Sequence, residues 1–206
     1  MSKRSNRKFG SSRRLGVNLW GMAKDPFVKR NFPPGAHGTA GYKKLTDYGI
    51  QLQAKQKLKK YYGNIVEVQF RNIYREAARR KGDTGENLIA LLESRLDAFI
   101  YRAKIAPTVF SARQLVNHKH ILVNGKIINI PSYRLKPGDV VEVTEKARQM
   151  DLIKGSILSN ERSVPEYIAV DQDGFQATYV QMPEFKQVPY PILMNPYLVV
   201  GFYSRQ

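Results

Sequence analysis

Three arginines spaced four residues apart, Arg71, Arg75 and Arg79, fall on one side of any helix that carries them. Like charges in that register cost about a few tenths of a kcal/mol per pair unless an anion sits opposite. The stripe therefore reads as a phosphate-binding face, with a solvated charged face as the plainer alternative. A second cluster, Arg113 and Gln114 followed by His118, Lys119 and His120, sets cations beside hydrogen-bonding side chains, and Asn124 and Lys126 come shortly after. Such groups suit RNA phosphates and 2′-hydroxyls, which accept charge-assisted hydrogen bonds. With His37, the pair His118 and His120 has the ligand type of a metal site, but no carboxylate stands at ligand spacing, so phosphate contact and simple capping are the competing readings. Arg95 is a further candidate RNA contact, and with Asp97 two residues on it forms either a local ion pair or part of an acid site.

The charge balance agrees with a polyanion partner. The 206 residues hold 34 Lys and Arg against 17 Asp and Glu, a formal net charge of +17. Residues 1–45 contain 11 basic against 1 acidic, 46–93 contain 9 against 6, 94–157 contain 11 against 5, and 158–206 contain 3 against 5. The positive field thus sits at the front and middle of the chain. Apolar residues at 42% and aromatics at 11% suffice for a packed core. No run approaches the roughly 20 apolar residues of a bilayer span, and the first ten residues have no apolar stretch behind their charges, so neither membrane insertion nor export is expected. The absence of cysteine excludes disulfides, cysteine-ligated zinc and thiol catalysis, and suits a reducing, intracellular compartment.

Positioning these groups requires several elements. Residues 1–45 are rich in Gly, Ser, Arg, Lys and Pro and show neither helical nor strand periodicity. They read as a basic arm, loosely ordered alone, with Lys3, Arg4, Arg7, Lys8, Arg13, Arg14, Lys43 and Lys44 as candidate phosphate contacts. Leu15, Val17, Leu19 and Trp20 are exceptions that could pin one end. From Thr46 to Gly63 an amphipathic helix is predicted, with Ile50, Ala54, Leu58 and Tyr61 inward and Lys55 and Lys59 as contacts. Asn64, with Glu67 three residues on, predicts an N-cap for the arginine helix, whose inward face is Val66, Phe70, Ile73, Tyr74 and Ala77. Tyr61, Tyr62, Phe70 and Tyr74 could stack on bases, although helical spacing favours packing.

Further on, Thr84 predicts the cap of a helix burying Leu88, Leu91 and Leu92, Ser94 with Asp97 a new start, and Thr108 the cap of a helix over Phe110 to Asn117. Ile121 to Ile128, turning at Asn124-Gly125, reads as a hairpin with a type I′ turn. Lys136 to Asp139 is a turn into the strand Val140 to Val143, and one helix is expected over Glu145 to Leu158. Strands are expected at Tyr167 to Val170 and Phe175 to Val180, and a closing helix after Asn195-Pro196. The fold class is α+β.

The strings Arg95-Leu96-Asp97, Ala112-Arg113-Gln114-Leu115-Val116, His120 to Gly125 and Lys136-Pro137-Gly138-Asp139-Val140 closely resemble the S-four RNA-binding module. Pro34 to Gly38, Thr46 to Gly49, Gln69 to Asn72, Gly82 to Asn87, and Leu198 to Val200 with Tyr203-Ser204 are similar to the family of bacterial-type fourth small-subunit ribosomal proteins. The stretch 144–194 matches least. The resemblance implies a helical domain (46–93, completed by 188–206) interrupted by an inserted domain (94–187) with the module at 94–157, behind the arm at 1–45. It implies a primary binder of the 5′ domain of small-subunit ribosomal RNA, at a helix junction, which nucleates assembly of the subunit body. It further implies contacts with the fifth and third small-subunit proteins, a seat at the messenger RNA entrance, an influence on decoding accuracy, and a place on the ribosome, cytoplasmic or organellar. Many relatives carry four cysteines in the arm as a zinc site. This chain has none, so its arm should be ordered by RNA, with no metal and no cofactor.

Arg95-Leu96-Asp97 also resembles the catalytic strand of some pseudouridine synthases, which often carry the same module. Against an enzyme, the nucleotide-binding, nucleophile-elbow and zinc-protease motifs are absent. Once the module and its helical frame are allotted, about 50 residues remain, too few for a catalytic domain. A free regulatory RNA binder sharing the module is the other alternative, though such chains lack the helical frame and the Gly-rich arm.

Overall fold

The computed structural model describes residues 9–42 and 44–204. In chain order come helices α1 (Gly10–Leu15), α2 (Pro26–Lys29), α3 (Asp47–Tyr61), α4 (Glu67–Arg79), α5 (Thr84–Glu93), α6 (Leu96–Arg102) and α7 (Val109–Asn117). Strands β1 (Ile121–Val123), β2 (Lys126–Ile127) and β3 (Val140–Val143) follow, then α8 (Glu145–Arg148), α9 (Asp151–Leu158), β4 (Ile168–Val170), β5 (Gln176–Tyr179) and α10 (Pro196–Ser204). The class is α+β, as expected. The chain divides into two units, one joining residues 1–85 to 190–206 and one comprising 86–189.

In the first unit, the Thr46 hydroxyl accepts the Gly49 N–H and opens α3, which α10 covers. Leu58, Tyr61, Phe202 and Tyr203 are buried in that unit, whereas Ile50 is 42% exposed rather than inward. The link to α4 departs from expectation. Asn64 is not an N-cap: Gly63 and Asn64 both adopt left-handed backbone, φ 74° and 54°, and the N–H groups of Asn64 and Ile65 bond the Lys60 and Lys59 carbonyls at the end of α3. Val66 takes the capping position without a side-chain bond. Glu67, expected to turn back to the cap, is drawn instead to Lys55, Lys59 and Tyr203.

The arm holds more local structure than its composition suggests, and three of the four residues expected to pin it are buried. Residues 9–42 contain α1, α2 and a short 3-10 turn at Gly38–Ala40, and they bury Leu15, Leu19 and Trp20. The Trp20 indole donates to the Tyr61 carbonyl at 3.2 Å, which ties this segment to the end of α3. Each buried apolar side chain contributes about 1.5–3 kcal/mol, so this segment carries packing of its own. Gly38 is required on steric grounds, because a Cβ there would lie 1.9 Å from the Pro33 carbonyl oxygen.

In the second unit, Leu88, Ile89, Leu91 and Leu92 of α5 and Leu96, Phe99 and Ile100 of α6 form a core at 0% exposure. The Ser94 hydroxyl does not cap α6 but donates to the Leu91 carbonyl, closing the preceding helix. Thr108 and Ser111 form a reciprocal capping box for α7. Asn124 and Gly125, φ 50° and 76°, make the type I′ turn between β1 and β2. All strand pairs are antiparallel, in the order β2-β1-β3-β5-β4, with Val141 opposite Ala177. The late strand pair thus extends the sheet begun at 121–143. The single helix expected over 145–158 breaks at Met150, whose backbone is extended (φ −68°, ψ 125°), and Ala147 and Ile153 on either side of the break are both buried.

Candidate nucleic-acid interface

The turn after α7 is held by backbone bonds on both flanks. His118, Lys119 and His120 donate their N–H groups to the carbonyls of Gln114, Val116 and Leu115, and the His120 carbonyl accepts from Thr144. Lys119 sits at φ 63°, which turns the chain from helix to strand and leaves Gln114, Asn117, His118 and Lys119 exposed. The imidazoles of His118 and His120 lie with centroids 6.1 Å apart, beside a cavity of about 150 Å3 shared with Gln114 and Met150. Among the described residues no group of three His, Asp or Glu side chains gathers to hold a metal. A rigid, exposed cluster of this kind presents donors to phosphate with little ordering cost.

Arg95 and Arg113 converge on Asp97. The carboxylate is 0% exposed, Oδ1 accepts Arg95 Nε at 3.0 Å and the Ala98 N–H at 3.0 Å, and Oδ2 accepts Arg95 Nη2 at 2.8 Å and Arg113 Nη1 at 3.0 Å. Arg95, 3% exposed, is therefore corrected from contact to internal anchor. Arg113 remains at the surface at 14%, with one edge held by Asp97. The buried, doubly paired Asp97 has no opening through which to act as an acid.

Asn124, although exposed, has its side chain engaged within the fold. Its amide donates to Asp139 Oδ1 at 2.9 Å while its carbonyl oxygen accepts the Val140 N–H at 2.9 Å, and Asp139 Oδ2 accepts the Lys136 N–H at 2.7 Å. The side chain locks the hairpin to the following turn, leaving Lys126 and Lys136 as the exposed cations there. In sequence Lys136 stands only within a turn; its position next to the hairpin has no local signal.

In the first unit Arg71, Arg75 and Arg79 are all exposed on α4, and among the described residues none of them makes an ion pair, whereas neighbouring Arg80 pairs with Glu76 at 2.9 Å. Lys55 and Lys59 do not share that freedom. Their ammonium groups bind Glu67 at 2.9 and 2.8 Å, and Lys55 also lies 4.2 Å over the Phe202 ring. Burial acts to raise the Glu67 carboxyl, but hydrogen bonds from Lys59, Lys55 and Tyr203 outweigh it and hold the group down at about 2. Burial, then the bond to Glu67, pushes the Tyr203 phenol up. Both ammonium groups are thus engaged within the fold, and two of them on one carboxylate leave a net charge of +1 there.

Arg13 is also committed internally, donating to the Phe32 and Pro33 carbonyls at 3.2 Å each with its guanidinium 4.9 Å from the Phe32 ring. Arg14 and Lys44 are exposed. Lys3, Arg4, Arg7, Lys8 and Lys43 lie outside the described residues.

Residues 3–93 match the family model described as Ribosomal protein S4/S9 N-terminal domain, and residues 94–141 match the S4 domain. The chain is 59% identical over 204 residues to the small ribosomal subunit protein uS4 of Phenylobacterium zucineum (strain HLK1), covering 99% of this chain and 100% of that one. Against the proteins of the same name from Bartonella quintana (strain Toulouse) and Rhodospirillum centenum (strain ATCC 51521 / SW), it is 58% identical over 205 residues, covering 100% of each chain.

Proposed function

Because the chain belongs to the uS4 family of small ribosomal subunit proteins, we propose that it binds the 5′ domain of small-subunit ribosomal RNA as a non-enzymatic structural component and nucleates assembly of the subunit body. The observation that carries this reading is the exposed stripe Arg71, Arg75, Arg79, which repels itself and gains from an array of phosphates. The clamped turn at His118 and Lys119 supplies a second point of attachment, with Lys126 and Lys136 beside it. Recognition runs through shape, phosphate and 2′-hydroxyl, since the deep major groove of A-form RNA excludes helices.

Full-length similarity supports the finer points of this reading as well: contacts with the fifth and third small-subunit proteins, a position at the messenger RNA entrance, a contribution to decoding accuracy, and a cytoplasmic ribosome. The deciding experiment titrates the purified protein with the 5′-domain fragment and with a duplex of equal length across a salt series. Preference for the fragment that persists at physiological salt is expected. Equal affinities with equally steep salt dependence would reduce the protein to a general polyanion binder.

A further inference from the structure

A cavity of about 650 Å3 opens in the first unit between the end of α1, the loop 33–42 and the flank of α3. That volume suits a small organic ligand, for which sites run roughly 300–1,000 Å3. Its walls are apolar at Val17, Pro33 and Leu45, aromatic at Tyr42 and cationic at Arg14 and Lys57, and no carboxylate is among its described lining residues.

Two features show that the aromatic wall is built. The Tyr42 hydroxyl donates to the Arg13 carbonyl, anchoring the ring at its tip. Gly16 takes φ 66° beneath it, and a Cβ there would come 3.2 Å from Tyr42 Cζ, so the ring packs closely against a position that only glycine fills without strain. With one face of the ring against Gly16 and its hydroxyl fixed, Tyr42 is still 44% exposed. The cationic wall has an imbalance of its own: burial lowers Lys57, and burial, then Lys59 and Arg14, lower Lys60 nearby. Among the described residues Lys57 has no ion-pair partner, so a bound anion would relieve it.

We propose that this cavity holds a single nucleotide, with its base stacked on Tyr42 and its phosphate held by Arg14 and Lys57. In the setting of the proposed function the nucleotide is one extruded from the RNA strand, and the inference rests on that reading; a free nucleoside monophosphate offers the same chemistry. A π-face on every base makes such a site tolerant of sequence.

The test uses the full chain with Tyr42→Ala, Lys57→Gln and the control Lys29→Gln, an exposed lysine on α2. Each is titrated with the 5′-domain RNA fragment over a salt series and with adenosine monophosphate by calorimetry, after its thermal transition is checked. Tyr42→Ala should weaken RNA binding about tenfold at unchanged salt slope, because stacking carries no charge. Lys57→Gln should weaken it and lower the log-log slope by about 0.7–0.9, and Lys29→Gln should do neither. Wild-type RNA affinity in both variants, with adenosine monophosphate binding lost in both, would overturn the RNA source and assign the cavity to free nucleotide. Wild-type RNA affinity with no adenosine monophosphate binding overturns the site. If the wild-type protein shows no preference for the fragment over duplex, the functional reading fails, while the variants' deficits on the fragment still judge the cavity. Should Tyr42→Ala lose its folding transition, Lys57→Gln alone decides.

Discussion

Arg113 Nη1 reaches Asp97 Oδ2 at 3.0 Å, on a carboxylate that is itself fully buried and already bound by Arg95. A partly exposed residue of α7 is thereby tied to the core of the second unit. Removing the carboxylate leaves the buried Arg95 guanidinium uncompensated, and breaking a buried pair from one side costs about 3–5 kcal/mol. Asp97→Asn should therefore lower stability by that order in urea unfolding followed by circular dichroism. A change below about 1 kcal/mol would show the pair to be dispensable.

Glu67 supplies the pH dependence. Its folded value of about 2 lies below the ordinary 4.5, so the stability it contributes is fully present above the unfolded value and lost as pH falls through the folded one. The group is 42% exposed, so screening reduces its contribution to about 1–2 kcal/mol. Wild type should exceed Glu67→Gln by a constant margin above about pH 5.5, and the margin should shrink between about pH 4.5 and 2. A margin independent of pH across that window would rule out the linkage.

The exposed and the paired cations should separate cleanly in RNA titrations. Arg75→Gln should change stability by less than about 0.5 kcal/mol while flattening the log-log salt slope by about 0.7–0.9 for its lost phosphate contact. Lys55→Gln should leave the slope unchanged and lower the thermal midpoint, since its ammonium is buried and bonded to Glu67 rather than presented to solvent. Identical slopes for wild type and Arg75→Gln would remove the stripe from the interface.

Residues 9–42 should act as part of a folded unit. Trp20→Ala removes a side chain 7% exposed together with its bond to the Tyr61 carbonyl, and large-to-small changes of this kind cost about 3–5 kcal/mol. A calorimetric transition within about 1 kcal/mol of wild type would restore the picture of an arm without packing of its own.

Much of the fold is legible along the chain because its signals are local. Thr46, Thr108 and Asn195 mark helix starts through bonds to N–H groups three residues on, and Asn124-Gly125 marks the hairpin through positive φ. Charge by segment likewise shows a polyanion partner without any contact being known. What local pattern does not carry is the destination of each cation. Lys55 and Arg75 read alike in sequence, yet Lys55 is buried against Glu67, which also binds Tyr203 from 136 residues away, while Arg75 stays exposed. The joining of β3 to β5 and the burial of Trp20 beside Tyr61 have the same character. A cap or a turn is decided by neighbours a few bonds apart, whereas pairing and burial depend on which distant segments meet, and only the folded chain brings those together.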